Sequence, residues 1–347
     1  MNPNDPTREL LGGTQDNGTF NYTGNPTWTE VIGGDGAQSG FNPDDGRISY
    51  HTYYDATPGV NFDNNDPAEW YDTYDPLLAS PENRSFYVPF IPDPNVGGRL
   101  FLGMQHVWRT NDNGGQEAYL KAHCGSVYFD PNRPTCGDWQ PIGQDLTSPS
   151  FGNRAGEYVV ATTRAPSDDR TLWAGTRIGR LFVSKNADAS PSAVDFSRID
   201  TNSTPGRFLS GIAVDPHDPN HAFVSYSGYN VYTPGTPGHV FDVHYDPATG
   251  KATFNDISHN LGDQPVTGIA FHPQHAVAGK SGRGASPGDL YVATDFGVSR
   301  LPAGATEWED AAPGLPAVAV YGLTLSEEAD TLYAATHGRG AYALKLP

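Results

Sequence analysis

Cysteine, methionine and long apolar runs are almost missing from this 347-residue chain, and each shortage closes a route. With two Cys and two Met, neither a thiolate cluster nor a disulfide-dense miniature scaffold is available. No apolar stretch approaches the roughly 18 residues that cross a bilayer as a helix. The opening MNPNDPTRELL has no charged-then-apolar leader, so either a leader has been removed or the protein stays inside. No amphipathic helical period of three turns or more occurs, and almost no helix is expected. Basic residues are short too: 21 Lys and Arg stand against 40 Asp and Glu, a formal charge of −19. Such a field repels phosphate backbones and anionic lipid, which argues against nucleic acid and membrane insertion. It favours cations, Ca²⁺ included, near loops rich in Asp and Asn.

What the chain has instead is turn chemistry, with 40 Gly, 30 Pro and 12% aromatics, the composition of short strands packed between frequent turns. Length alone does not divide it, since all-β repeat folds run long as one domain. One phrase recurs: an apolar strand ending in a small residue and Thr, a Gly-containing loop, then a second strand. It reads LYAATHGRGAYAL from Leu332, LYVATDFGVSRL from Leu290, LLGGTQDNGTF from Leu10, LFLGMQHVWRT from Leu100 and LWAGTRIGRLFVS from Leu172. Looser copies are AFVSYSGYNVY from Ala222 and RISYHTYYDA from Arg47.

Strands such as FLSGIAVDPHDPN, PVTGIAFHPQH and AVYGLTLSEEAD precede the phrase, and short ones such as TWTEVI, DWQPIG and TEWEDA follow it. The expected fold is therefore all-β, a single seven-bladed β-propeller of four-stranded antiparallel blades. Its approximate blades are 6–32, 33–80, 93–146, 155–200, 208–257, 266–310 and 318–346. A β-sandwich would not repeat a two-strand phrase seven times. The first blade lacks its inner strand and the last its outer one, which suggests a piece of a longer propeller protein with other domains.

Cys124 and Cys136 lie twelve residues apart around Pro and Asn, well placed to close a loop, and a bridge of that size is worth on the order of 3 kcal/mol. Two free buried thiols are the alternative. With His123 the pair supplies too few ligands for zinc. A disulfide implies an oxidising compartment, extracellular or periplasmic.

The segments GTQDNGT, IGGDG, WRTNDNGG, CGDWQPIG, SGIAVDPHDPN, ATDFGV and YAATHGRGAY resemble the BNR or Asp-box repeat propellers. That group includes the sortilin ectodomain, xyloglucanase-like glycoside hydrolases, a photosystem II assembly factor and sialidase-like secreted bacterial proteins. One box is readable, Thr110, Asp112 and Gly114, with Trp139 as the aromatic that follows. The resemblance implies that Asp112 folds back onto its own hairpin and lies on the face opposite the ligand. It also implies that the second-to-third-strand turns and the links between blades open on one mouth. The motifs are architectural, and the fold hosts many functions.

The first kind of loop supplies Gln15, Asp16, Asn17, His106, Arg177, Tyr226, Tyr229, Asp295, His337 and Arg339. The second supplies Asp35, Arg207, Asp263 and Gln264. Aromatics cover sugar faces while Asp, Asn and Arg meet hydroxyls and carboxylates, so the expected ligand is a glycan rather than a peptide. The expected ligand-binding set is Gln15, Asp16, Asn17, His106, Arg177, Arg207, Tyr229, Asp295, His337 and Arg339, with Ca²⁺ at Asp16 as a rival use of that turn. Two of Asp16, Asp35, Asp263 and Asp295 facing each other at roughly 5–9.5 Å would make an exo-acting glycoside hydrolase. A third class is a protein-binding scaffold or assembly factor.

The sialidase Phe/Tyr-Arg-Ile-Pro context is missing, leaving an arginine set of Arg177, Arg207 and Arg339 without motif support. Xyloglucanases spread their groove over two propellers, and one is present. His217 and His221 are expected in a turn, and His239 and His244 on opposite faces of a strand, so no metal is expected there. The triplets at Asn17, Asn21, Asn83 and Asn202 match glycosylation acceptors that matter only in a eukaryotic secretory route.

Overall fold

The structure, a computed structural model, describes residues 1–126, 133–273, 288–326 and 330–346. Gln274 and His275 of GIAFHPQH, and the Glu327, Glu328 and Ala329 of SEEAD, lie outside the described residues. The chain divides into two compact units, Met1–Ser148 with Gly156–Thr162 and Ala187–Asp195, and Pro149–Ala155 with Thr163–Asn186 and Phe196–Pro347.

In the first unit the opening sheet holds β1 (Leu10–Thr14), β2 (Gly18–Tyr22) and β3 (Thr29–Ile32). The next holds β4 (Ser39–Phe41), β5 (Ser49–Thr52), β6 (Pro58–Asn61) and β7 (Trp70–Asp72), and α1 (Asp75–Ala79) follows it. The third holds β8 (Phe90–Pro92), β9 (Leu100–Gly103), β10 (Val107–Thr110) and β11 (Gln140–Ile142), with α2 (Glu117–His123) between the last two strands. A fourth sheet, β12 (Val159–Arg164), β13 (Leu172–Thr176), β14 (Leu181–Ser184) and β15 (Ser197–Arg198), has its first strand on the division between the units.

The second unit continues with β16 (Leu209–Asp215), β17 (Asp218–Tyr226), β18 (Val240–Asp246) and β19 (Lys251–Asp256). A sixth sheet holds β20 (Val266–Pro273), β21 (Gly288–Thr294), β22 (Gly297–Leu301) and β23 (Glu309–Asp310). The last has three strands, β24 (Val320–Ser326), β25 (Thr331–Thr336) and β26 (Ala341–Lys345). Every sheet is a meander in which neighbours in sequence pair antiparallel, the element order of a seven-bladed β-propeller with short helices only in the connections. The recurring phrase is the second strand, its turn and the third strand: Thr14 pairs with Gly18 across the first, and Thr294 with Gly297 across the sixth.

The first unit's core gathers Tyr50, Val60, Phe62, Leu102, Trp108 and Trp139 around the Cys124–Cys136 disulfide, whose Cα atoms lie 5.8 Å apart. Trp139 donates from Nε1 to Thr73 Oγ1 at 3.3 Å. The turn after β10 is held by Thr110, whose hydroxyl accepts from the Asp112 and Gly114 amides at 3.2 and 3.1 Å and donates to Asp138 at 2.5 Å. The side chain that ties this turn to its neighbours is Asn113, whose Oδ1 accepts from Tyr50 and Asn42.

Candidate functional site

In a four-stranded meander the second-to-third-strand turns and the links to the next sheet leave from the same end of each sheet. The structure puts Gln15, Asp16 and Asn17 in the β1–β2 turn, His106 between β9 and β10, and Arg177 between β13 and β14. Tyr229 falls between β17 and β18, Asp295 between β21 and β22, and His337 and Arg339 between β25 and β26. Asp35, Arg207 and Asp263 occupy the links before β4, β16 and β20. The exposed large apolar side chains show the same sidedness. Among the described residues there are eleven, and eight lie in these two kinds of connection: Tyr54, Leu78 and Phe86 in the first unit, Phe208, Tyr229, Val231, Tyr232 and Phe296 in the second.

The first unit organises its share into a continuous platform. Tyr54 and Phe86, 45% and 55% exposed, stack with ring centres 5.7 Å apart and planes at 19°. Tyr53 lies 4.8 Å from Tyr54, and Tyr87 4.8 Å from Phe86. The two loops that carry these rings are bound to each other. The Asp55 amide donates to the Phe86 carbonyl at 2.8 Å, and the Arg84 guanidinium forks onto the Asp55 carboxylate, with Nη2 3.0 Å from Oδ2. Asp55 sits at φ 61°, a left-handed conformation that Asp tolerates in turns. Gly34, at φ 95°, is required beside Tyr53, since a Cβ there would stand 2.2 Å from the Tyr53 ring.

Carboxylates border the rings. Asp35 accepts from the Asp16 amide at 3.0 Å and from the Tyr87 hydroxyl at 3.4 Å, which joins two of the expected site residues to the platform. Burial and the Asp35 charge push the Tyr87 phenol up to about 12, so it remains a donor. Next to the platform is a cavity of about 750 Å³ whose lining includes Glu30, His51, Tyr53, Tyr54, Asp55 and Asp72. Burial raises the Asp72 carboxyl above its ordinary value, outweighing the Tyr74 hydroxyl bond and the Arg133 charge.

His106 is engaged by Glu82: Nδ1 lies 2.9 Å from Oε1, and Oε2 accepts from the Gln105 and His106 amides at 2.8 and 2.9 Å. Burial works against the Glu82 carboxylate, but these bonds and the ring's charge outweigh it and hold its pKa low.

In the second unit the candidates separate by environment. Arg207 is buried, with Nε donating to the Ser227 carbonyl at 2.9 Å and Nη2 to the Gly238 carbonyl, and further bonds to Thr233, Asn230 and His239. It fastens the long β17–β18 loop from within, so the arginine set of Arg177, Arg207 and Arg339 is reduced by one. Asp263 accepts from the Asn230 amide at 2.8 Å and His239 Nε2 at 3.2 Å. Arg177 and Arg339 are exposed, as is His337, whose ring meets Tyr321 edge-on at 5.4 Å.

One expectation about histidines changes. His221 lies on β17 rather than in the preceding turn, and it stands directly opposite His244 on β18. Spacing along one strand could not reveal that pair, because the register between strands makes it.

Sequence reasoning also missed Tyr53, Tyr54, Phe86, Tyr87 and Glu82. Their signal was legible. TYYDAT sits in the turn of the weakest copy of the phrase, and ENRSFY sits in a link between sheets.

No protein-family model matches the chain, and no curated protein matches it. Among solved structures, YCF48 from Cyanidioschyzon merolae superposes with a TM-score of 0.60 at 12% identity, covering 99% of this chain and 97% of that one. A GH74 xyloglucanase from Xanthomonas campestris gives 0.57 at 16%, covering 97% and 50%. A structure of YCF48 bound to D1 peptide gives 0.51 at 10%, covering 98% and 82%. At these identities the likeness shows the fold, and that fold is a seven-bladed β-propeller with mostly four-stranded blades.

Proposed function

We propose that this protein binds a neutral glycan chain on the first unit's aromatic platform, in an extracytoplasmic compartment. The observation that carries the reading is the rigid set Tyr53, Tyr54, Phe86 and Tyr87, held open to solvent by the Asp55–Arg84 fork and bordered by Asp16 and Asp35. Aromatic faces cover the apolar faces of sugar rings. Bordering carboxylates accept from sugar hydroxyls and repel anions, which favours neutral over acidic glycans. Two χ angles per ring keep the ordering cost of binding small. The disulfide supports the compartment. Propellers of similar fold include a xyloglucanase and a peptide-bound YCF48, so a peptide is the competing ligand.

Glycan screening followed by calorimetric titration tests the reading. Neutral oligosaccharides bind the wild type, and Tyr54→Ala and Phe86→Ala each weaken binding about tenfold, equivalent to ~1.4 kcal/mol. Binding of peptides alone, or sugar binding indifferent to both substitutions, rejects it. A second reading, hydrolysis, is favoured by Asp72, a cavity-lining carboxyl held above its ordinary pKa in the manner of a general acid. Release of reducing sugar that disappears in Asp72→Asn would establish it, and its absence with binding intact leaves a binding protein.

A further inference from the structure

The sixteenth to eighteenth strands carry a second cluster that the glycan reading does not use. His221, at the start of β17, is buried, and its Nδ1 lies 3.0 Å from Oδ2 of Asp215 at the end of β16, itself fully buried. That contact presents Nε2 to the other side, where Asp242 Oδ1 lies 2.8 Å away. His244, two residues on along β18 and therefore on the same face, brings its Nε2 to 3.2 Å from the same carboxylate oxygen. Asn255 from the neighbouring strand β19 hydrogen-bonds Asp242. The three potential donor atoms all lie within 4.8 Å of one another.

From this geometry we propose that His221 Nε2, Asp242 Oδ1 and His244 Nε2 form a site for a divalent transition-metal ion of the zinc class. Two imidazoles and one carboxylate suit zinc or its first-row neighbours better than calcium or magnesium, which take oxygen. Ligands about 2.0–2.1 Å from a tetrahedral zinc stand roughly 3.3 Å apart; the His244 separation of 3.2 Å is near that, and the His221 contact of 2.8 Å is a hydrogen bond that must open by about half an ångström to admit the ion.

The buried Asp215 supplies what metal-bound histidines generally have, a carboxylate on the other ring nitrogen that fixes the tautomer and the ring's orientation. One adjustment is required. The His221 and His244 rings are stacked 4.2 Å apart and within 1° of parallel, so their in-plane lone pairs run side by side and must converge. His221 is 1% exposed and fixed, while His244 is 42% exposed and is the ring that tilts. The fourth position then faces solvent. Because β17 and β18 are paired strands of one sheet, the ion would fasten them at the end remote from the β17–β18 loop.

Titration of Co²⁺, and of Zn²⁺ in competition with it, into the chelator-stripped full chain tests this. One equivalent of Co²⁺ is expected to bind with visible absorption bands of a low-coordinate site, and Zn²⁺ to displace it. His244→Ala and Asp242→Asn are expected to weaken binding at least tenfold. His244 lies on the sheet surface, so its variant keeps the fold, as circular dichroism would record. Asp215→Asn, which removes no ligand, is expected to weaken binding about 10- to 100-fold. The proposal is overturned if the wild type binds no stoichiometric ion, or if the folded His244→Ala and Asp242→Asn proteins bind as the wild type does; the cluster is then a hydrogen-bond network only.

Discussion

From β1 to β11 no strand exceeds five residues, whereas β16, β17, β18, β20 and β21 each run seven to nine. Both regions write the same phrase, yet they use the chain differently. The second unit puts more of its chain into long ladders, in which Ile212, Val214, Val224, Val266 and Val292 are buried. The first unit gives it to connections: α1 and its following link, the α2 segment and the bridged cysteines all lie between strands. Chain withheld from ladders is free to hold side chains at chosen angles, and there the aromatic platform is found. Its loops are joined by the Asp55–Arg84 fork, Glu82 ties the same link to the β9–β10 turn, and the disulfide closes a separate connection of this unit.

That contrast can be broken by removing the cross-links. Replacing Cys124 and Cys136 together by Ser is expected to cost about 3 kcal/mol in guanidinium unfolding. A reductant should reproduce the loss in the wild type and leave the double variant unchanged. Arg207→Ala tests the one long loop of the second unit that depends on a buried side chain. It leaves the Ser227 and Gly238 carbonyls and His239 without their donor, at about 2–3 kcal/mol, with the exposed Arg339→Ala near zero by the same measurement.

A further effect distinguishes the first unit by pH. His51 on β5 packs edge-on against Trp70 at 4.7 Å, and burial holds its pKa down to about 4. Since the unfolded ring titrates near about 6.5, the unfolded chain binds the extra proton first. This contribution to stability is complete above about 6.5 and is lost as pH falls toward 4. His51→Gln should lack that part of the acid sensitivity in denaturation curves taken across the interval.

The fold was legible because its signals are local. A small residue, Thr and a Gly-bearing turn recur in LYVATDFG and LYAATHGRG, and the period-2 alternation on either side fixes which faces are buried. The disulfide was legible for the same reason, two cysteines closing one short loop. The placement of the loops followed from topology, so Asp16 and Asp35 were named, and they do meet. Contacts set by tertiary geometry were not legible. Tyr54 stacks on Phe86 from thirty-two positions away in the sequence, across loops joined by the Asp55–Arg84 fork and the Asp55 amide's bond to the Phe86 carbonyl. His221 reaches His244 through strand register, which no spacing rule along one strand contains. Arg207 looked like a ligand group because the sequence does not show that its guanidinium is enclosed by carbonyls.

The most direct test of the platform is a calorimetric titration with neutral oligosaccharides on four proteins: wild type, Tyr54→Ala, Phe86→Ala and Tyr119→Ala. Tyr119 is an exposed ring on α2, in a connection of the other kind. Saturable binding is expected to fall about tenfold in each of the first two variants and to stay unchanged in the third. Equal affinity in all four, or the same loss in Tyr119→Ala, would contradict it.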